Sequence, residues 1–195
     1  MDLVVPDSPV AVASRDLARE VSSTALFNHC ERTYAFAAIL GDREGFEFDP
    51  ELLYVASVLH DLGLTERYDG QEEFEVQGAN AAHAFLTERG WDAEKADLVR
   101  EAITFHTRVG TEDHERKEVP LLRMGAAVDV LGLGIEDVPS EDVRRIIETW
   151  PREGLTAELV EAFADQARRK PDSWIGLLVE NMDWLDRIRN APFDE

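Results

Sequence analysis

Apolar residues in this chain recur three and four positions apart, and no convincing stretch alternates at a period of two. That regularity restricts the fold to packed helices and predicts an all-α architecture. Glycines and prolines punctuate the pattern. Helices are expected over about 14–24 and 27–41, then one opened by Pro50 at its favoured first position and closed by Gly63. Others should span about 75–89, stopped by Gly90; 92–107, capped by Asp92; and 120–131, opened by Pro120 and ended by Gly132. Ser140, Thr156 and Asp172 cap three more, with Pro151 and Pro171 as breaks between them. The stretches 42–49, 64–75 and 108–118 read as loops. No repeat or linker divides the chain, so residues 1–195 are expected to form one domain.

The charge balance narrows the partners. The sequence has 41 acidic against 20 basic side chains, a formal charge of −21. A field of that sign repels phosphate backbones and anionic headgroups, so neither nucleic acid nor a membrane is an expected partner. Cys30 is the only cysteine, which excludes a disulfide framework and a thiolate zinc cluster and fits a reducing cytoplasm. No run approaches the roughly 18 apolar residues of a membrane span. Met1-Asp2-Leu3 lacks the basic start of a signal peptide. A soluble, cytoplasmic protein is expected.

The informative residues are polar ones that fall on apolar stripes. Leu52, Ala56 and Leu59 lead on to His60, and Leu40, Ala37, Phe36 and Thr33 run back to His29. His83 follows Val76 and Ala79, and His106 follows Val99, Ala102 and Ile103. Asp129 joins Leu122, Gly125 and Ala126, and is the only charged residue of the eleven from Met124 to Gly134. An ionised carboxylate in such a setting costs several kcal/mol unless it is paired, hydrogen-bonded or bound to a metal. Asp61 raises the same question, flanked by Leu59, Leu62 and Leu64. Adjacent helical residues point about 100° apart, so His60 and Asp61 serve one ion only beside a helix end, which Gly63 supplies.

Taken singly, each residue has a plainer reading. A lone histidine on an apolar face is more often a satisfied core residue than a ligand, and Asp129 alone suits an Arg partner or a backbone cap. His114 lies in a solvated charge run and is set aside. The joint occurrence is what counts: four of five histidines and two isolated carboxylates fall on stripes that converge in a bundle. Imidazole and carboxylate around one ion suit zinc, iron or manganese.

A separated His, a His-Asp dipeptide at a helix end and a distant Asp resemble the signature of the HD superfamily of metal-dependent hydrolases. Here they are His29, His60-Asp61 and Asp129. Asn28-His29-Cys30-Glu31-Arg32-Thr33-Tyr34 resembles the Asn-His-Ser-x-Arg-x-Tyr of one branch, the cyanamide hydratase-like proteins. Val58–Thr65, Phe74–Ala82, Ala102–Thr107 and Gly125–Gly132 resemble its later segments, in order. The resemblance covers about 25–135, the expected metal-binding core of an HD helical bundle, with 139–195 as a C-terminal helical extension. Many HD phosphohydrolases carry a Lys three residues after the Asp of the dipeptide. Leu64, followed by Thr65, stands there in this chain, against a nucleotide or phosphomonoester substrate.

The resemblance implies a hydrolase or lyase in which His29, His60, Asp61 and Asp129 hold one divalent ion, zinc before iron or manganese. Metal-activated water would add to a small neutral nitrile-type substrate such as cyanamide. Asp61 and His106 are the candidate catalytic residues, His106 as an acid/base outside the mononuclear ligand set. Asn80, Glu75, Thr104, Thr107 and Arg32 are candidates for orienting substrate or ligands, or for capping and pairing within the bundle. Phe27, Tyr34, Phe74 and Phe105 suit either a small dry pocket or plain core. Three alternatives stay open. One is an HD phosphohydrolase. Another is a binuclear, di-iron HD oxygenase with His83 and His106 completing a second site. The third is a non-enzymatic module stapled by its metal. Trp150, Trp174, Trp184 and Ile188 suggest C-terminal helices that cover the bundle or a partner subunit, and the latter implies a homodimer.

Overall fold

The computed structural model describes residues 4–194, and no strand occurs among them. Met1–Leu3, read above for a leader, lie outside the described residues. Ten α-helices follow in order: α1 Pro9–Val21, α2 Thr24–Glu44, α3 Pro50–Leu59, α4 Phe74–Glu88 and α5 Ala93–Phe105. The others are α6 Glu118–Leu131, α7 Ser140–Thr149, α8 Leu155–Arg169, α9 Trp174–Asn181 and α10 Trp184–Arg189. Among the described residues no helix is long and apolar enough to cross a membrane.

Helix α2 is the axis of the bundle. Every residue from Ala25 to Gly41 is buried, so a sequence with polar His29, Glu31 and Arg32 in its middle is enclosed on all sides. Its closest neighbour is α6, and Gly125 makes that approach possible. A methyl group at Gly125 would stand 2.2 Å from the Thr33 carbonyl oxygen. Helix α3 packs on α2, α1 lies over α3, and α4 and α5 form a hairpin beside α3 and α6. The main apolar cluster joins α1, α3, α4, α5 and α6 through residues such as Leu53, Leu59, Leu86, Ile103 and Leu122. A second cluster ties the start of α2 to α8, α9 and α10, and a third joins α2, α6 and α7.

Local chemistry explains most boundaries. Ser23, Asp49, Asp92 and Ser173 cap α2, α3, α5 and α9 with side-chain oxygens, and Gly45 and Gly132 end α2 and α6 with positive φ. Several expectations shift. Ser140 and Thr156 lie inside α7 and α8, behind Pro139 and Gly154, Ser173 rather than Asp172 caps α9, and α6 opens at Glu118, two residues before Pro120. The first helix starts at Pro9, where Ser8 accepts from the Ala11 amide and the proline needs no partner. The helix from Pro50 stops at Leu59 rather than at Gly63, and a 3-10 turn at Leu62–Leu64 follows. Gly63 is pressed onto α4: a Cβ there would lie 1.9 Å from the Phe74 carbonyl oxygen. His60 and Asp61 therefore occupy the corner between helix and turn.

Candidate metal centre

Three histidine rings converge on one carboxylate at that corner. His29 comes from the first half of α2, His60 from the end of α3, Asp61 from the corner, and His106 from the last turn of α5. All four are buried. His29 Nε2 and His60 Nε2 lie 3.1 Å apart, and they stand 3.4 and 3.2 Å from Asp61 Oδ2. His106 Nε2 faces the other oxygen, Oδ1, at 3.6 Å.

The far side of each ring is fixed by an acceptor. His29 Nδ1 donates to Asp129 Oδ2 at 2.7 Å, His60 Nδ1 to the Ser57 carbonyl at 2.7 Å, and His106 Nδ1 to the Ile103 carbonyl at 2.5 Å. Carbonyls and ionised carboxylates accept only, so each neutral ring presents its Nε2 lone pair inward. Two such lone pairs 3.1 Å apart repel unless a cation stands between them. Donors about 2.0–2.2 Å from a common ion at tetrahedral or octahedral angles are about 2.9–3.5 Å from one another. The spacing of His29, His60 and Asp61 has that range, and among the described residues these three form a group that could hold a metal ion.

Electrostatics agree. Burial alone would raise the Asp61 pKa, but His60, His106 and His29 hold it well below the usual carboxylate range. Burial lowers His29, yet hydrogen bonds to Asp129 and Asp61 outweigh it and the net shift is upward. For His60 burial prevails and the shift is downward, against the pull of Asp61. Burial pushes the Cys30 thiol well up, so this neighbour of His29 is an inert core residue and no ligand.

Asp129 lies one layer out. Its Oδ2 accepts from His29 Nδ1 and from Arg32 Nη2 at 2.8 Å, and its Oδ1 from Arg32 Nε at 2.7 Å. Burial disfavours its charge, but Arg32 and His29 keep it ionised far into acid. The structure does not bring its oxygens into the group around Asp61. Arg32, completely buried, also donates to the carbonyls of Trp150 and Pro151 at 2.7 and 3.1 Å, which pins the segment before α8 beneath the cluster.

The remaining candidates separate cleanly. Glu75 is buried beside His106, and its Oε1 accepts from Thr107 Oγ1 at 2.6 Å. Its Oε2 has no hydrogen-bond partner among the described residues, and burial raises its pKa despite the nearby His106. His83 does not reach the cluster. It sits 30% exposed, 3.3 Å from Asp97, because α4 buries Glu75, Gly78, Ala79, Ala82, Phe85 and Leu86 and leaves His83 at the edge of that face. The alternative of a second metal site completed by His83 and His106 therefore lacks one member. Asn80 is exposed, and Thr104 is spent on the Arg100 carbonyl; both face away from the centre.

A cavity of about 230 Å³ opens over His29, His60, Asp61 and His106. Of the aromatics considered for a pocket wall, Phe74 packs on His106 and on Phe163, with ring centroids 5.6 and 5.8 Å away. Phe27 and Tyr34 belong to the main apolar cluster, and Phe105 is partly exposed. The walls come from α6, through Ala126, Val130 and Leu131, and from the C-terminal third: Leu159 and Phe163 of α8, Trp174 and Leu178 of α9, and Trp184 of α10. Periodicity read these residues only as packing, because which helix closes over a distant site leaves no local signal. Arg152 was missed for the same reason. It donates to the Asp129 carbonyl at 2.9 Å and approaches Oδ1 at 3.4 Å.

Known proteins are similar to this chain in sequence. The family model described as HD domain matches residues 26–189. Cyanamide hydratase DDI2 of Saccharomyces cerevisiae is similar at 26% identity over 171 residues, 85% of this chain and 76% of that protein. Cyanamide hydratase DDI3 of the same organism is similar to the same extent.

Proposed function

This chain belongs to the HD-domain family, and from that premise we propose that it is a metal-dependent enzyme that adds water across a nitrile-type carbon–nitrogen bond. The convergence of His29, His60 and Asp61 at the base of a cavity carries this reading. The similarity to two cyanamide hydratases suggests the type of carbon attacked. His29 and His60 would ligate through Nε2 and Asp61 through Oδ2, with zinc the first choice for this imidazole–carboxylate set. A divalent ion held there supplies a Lewis acid and lowers the pKa of a water molecule towards about 7.

The other residues have work of their own. Asp129 holds the His29 tautomer and so aims Nε2. Arg32 keeps Asp129 charged and oriented. His106 points its free Nε2 at Asp61 Oδ1 and borders the cavity, where that lone pair can take a proton from the adding water and pass it to the nitrile nitrogen as water's oxygen joins the carbon. Glu75 and Thr107 brace that side of the cavity. The apolar walls keep bulk water from screening the charges at the centre. A single-ion site agrees with the position of His83 on the outer edge of α4.

Purified protein loaded with zinc should convert cyanamide to urea, and His60→Ala should abolish the reaction. His106→Ala should retain zinc and lower kcat about 10²–10⁴-fold. Failure of the zinc-loaded chain to produce urea above the His60→Ala background would remove cyanamide as substrate.

A further inference from the structure

The cavity is larger than cyanamide requires, and its walls are ill suited to so polar a molecule. Its volume is about 230 Å³, whereas an apolar cavity of about 150 Å³ already admits a benzene ring. Cyanamide has one carbon and two nitrogens, so seated at Asp61 it would leave most of this space empty. That surplus space is bounded by Leu159, Phe163, Trp174, Leu178 and Trp184. Leu159, Phe163 and Leu178 are themselves buried members of an apolar cluster. Two guanidiniums also line the cavity: Arg123 is paired with Glu112 at 2.8 Å, and Arg187 is exposed.

The opening has the same character. Val109, Leu133 and Met182 are 73%, 56% and 45% exposed, and all three line this cavity. They come from the loops after α5 and α6 and from the end of α9. A single exposed apolar side chain is ordinary. Three, from separate segments and gathered at one opening, mark a place that an apolar ligand covers.

We infer that the substrate carries its reactive group on a neutral apolar body about the size of a substituted benzene ring. The body fills the space between Leu159, Phe163, Trp174 and Trp184, and its outer end meets Val109, Leu133 and Met182. The identity of the reactive group rests on the hydration reading above; the apolar body rests on the cavity alone.

Calorimetric titration and turnover of the zinc-loaded full chain, with phenylcyanamide against cyanamide, test the two parts separately. Phenylcyanamide should bind about tenfold or more tightly and show a kcat/KM higher by a similar factor. Met182→Glu, a change on an exposed side chain, should cut the ratio of the two affinities at least threefold. Binding of phenylcyanamide no tighter than that of cyanamide overturns the inference, whether or not cyanamide is hydrated. Tighter binding of phenylcyanamide without hydration of either compound upholds the apolar body and removes the hydration reading instead.

Discussion

At the scale of single residues, Asp129 links the interior charges. It accepts from His29 and in two-pronged fashion from Arg32, all without exposure to solvent. Asp129→Asn keeps the shape and removes the charge, leaving the buried Arg32 guanidinium without a counter-ion and setting an amide NH2 against a donor of Arg32 or of His29, which frees His29 to change tautomer. Urea unfolding should show a loss of about 3–5 kcal/mol, and zinc titration a loss of about 10–100-fold in affinity. Lost stability with unchanged zinc affinity would reduce Asp129 to a partner of Arg32. A second residue-scale prediction concerns protons. Ligand imidazoles must be neutral, and His29 is the one whose pKa is raised, since Asp129 and Asp61 outweigh its burial. Its proton therefore competes with the metal as pH falls, from above the ordinary imidazole value of about 6.5 downward. His60, shifted down by burial, joins that competition only at lower pH. Zinc affinity measured from about pH 8 to about pH 5 should decline with its onset above 6.5; a flat profile contradicts the imidazole ligation.

At the scale of elements, two glycines set the distances on which the centre depends. Gly63 lets the turn after His60-Asp61 rest on α4, and Gly125 lets α6 rest on α2. Gly125→Ala would put a methyl group against the Thr33 carbonyl and 2.9 Å from Ala37 Cβ, forcing the helices that carry Asp129 and His29 apart. The expected cost is about 1–3 kcal/mol in denaturant unfolding, together with weaker zinc binding; full retention of both would show that the crossing has slack. Much of this level was legible in the sequence. Helical spacing located the apolar stripes, and His29, His60 and His106, which interrupt them, lie around Asp61, whereas Asp129, expected as a fourth ligand, stands one layer out against Arg32. Periodicity was weaker where a helix face has an edge. His83 shares a stripe with Ala79 and Leu86 but falls on the rim of what α4 buries, a rotation that only the packing of α4 on α5 decides. The start of α1 was missed because its signal is the Ser8–Pro9 cap rather than an apolar repeat.

At the scale of the whole molecule, the C-terminal third completes a site whose candidate ligands all come from earlier in the chain. Helices α8, α9 and α10 bring Phe163, Trp174 and Trp184 over a centre built from α2, α3, α5 and the corner at Asp61. Nothing in the local spacing of those aromatics distinguishes covering a cavity from covering a partner, so this part of the site was invisible in the sequence. The formal charge of −21 belongs to the same scale. A neutral apolar ligand of the kind inferred above is indifferent to it. The account depends on one cation being held where three helices meet. Anomalous diffraction at the zinc edge from crystals of the zinc-loaded protein locates that cation directly. The predicted result is one strong peak per chain, about 2.0–2.2 Å from His29 Nε2, His60 Nε2 and an oxygen of Asp61. A zinc-loaded crystal with no peak there, or with zinc only on surface carboxylates, would contradict it.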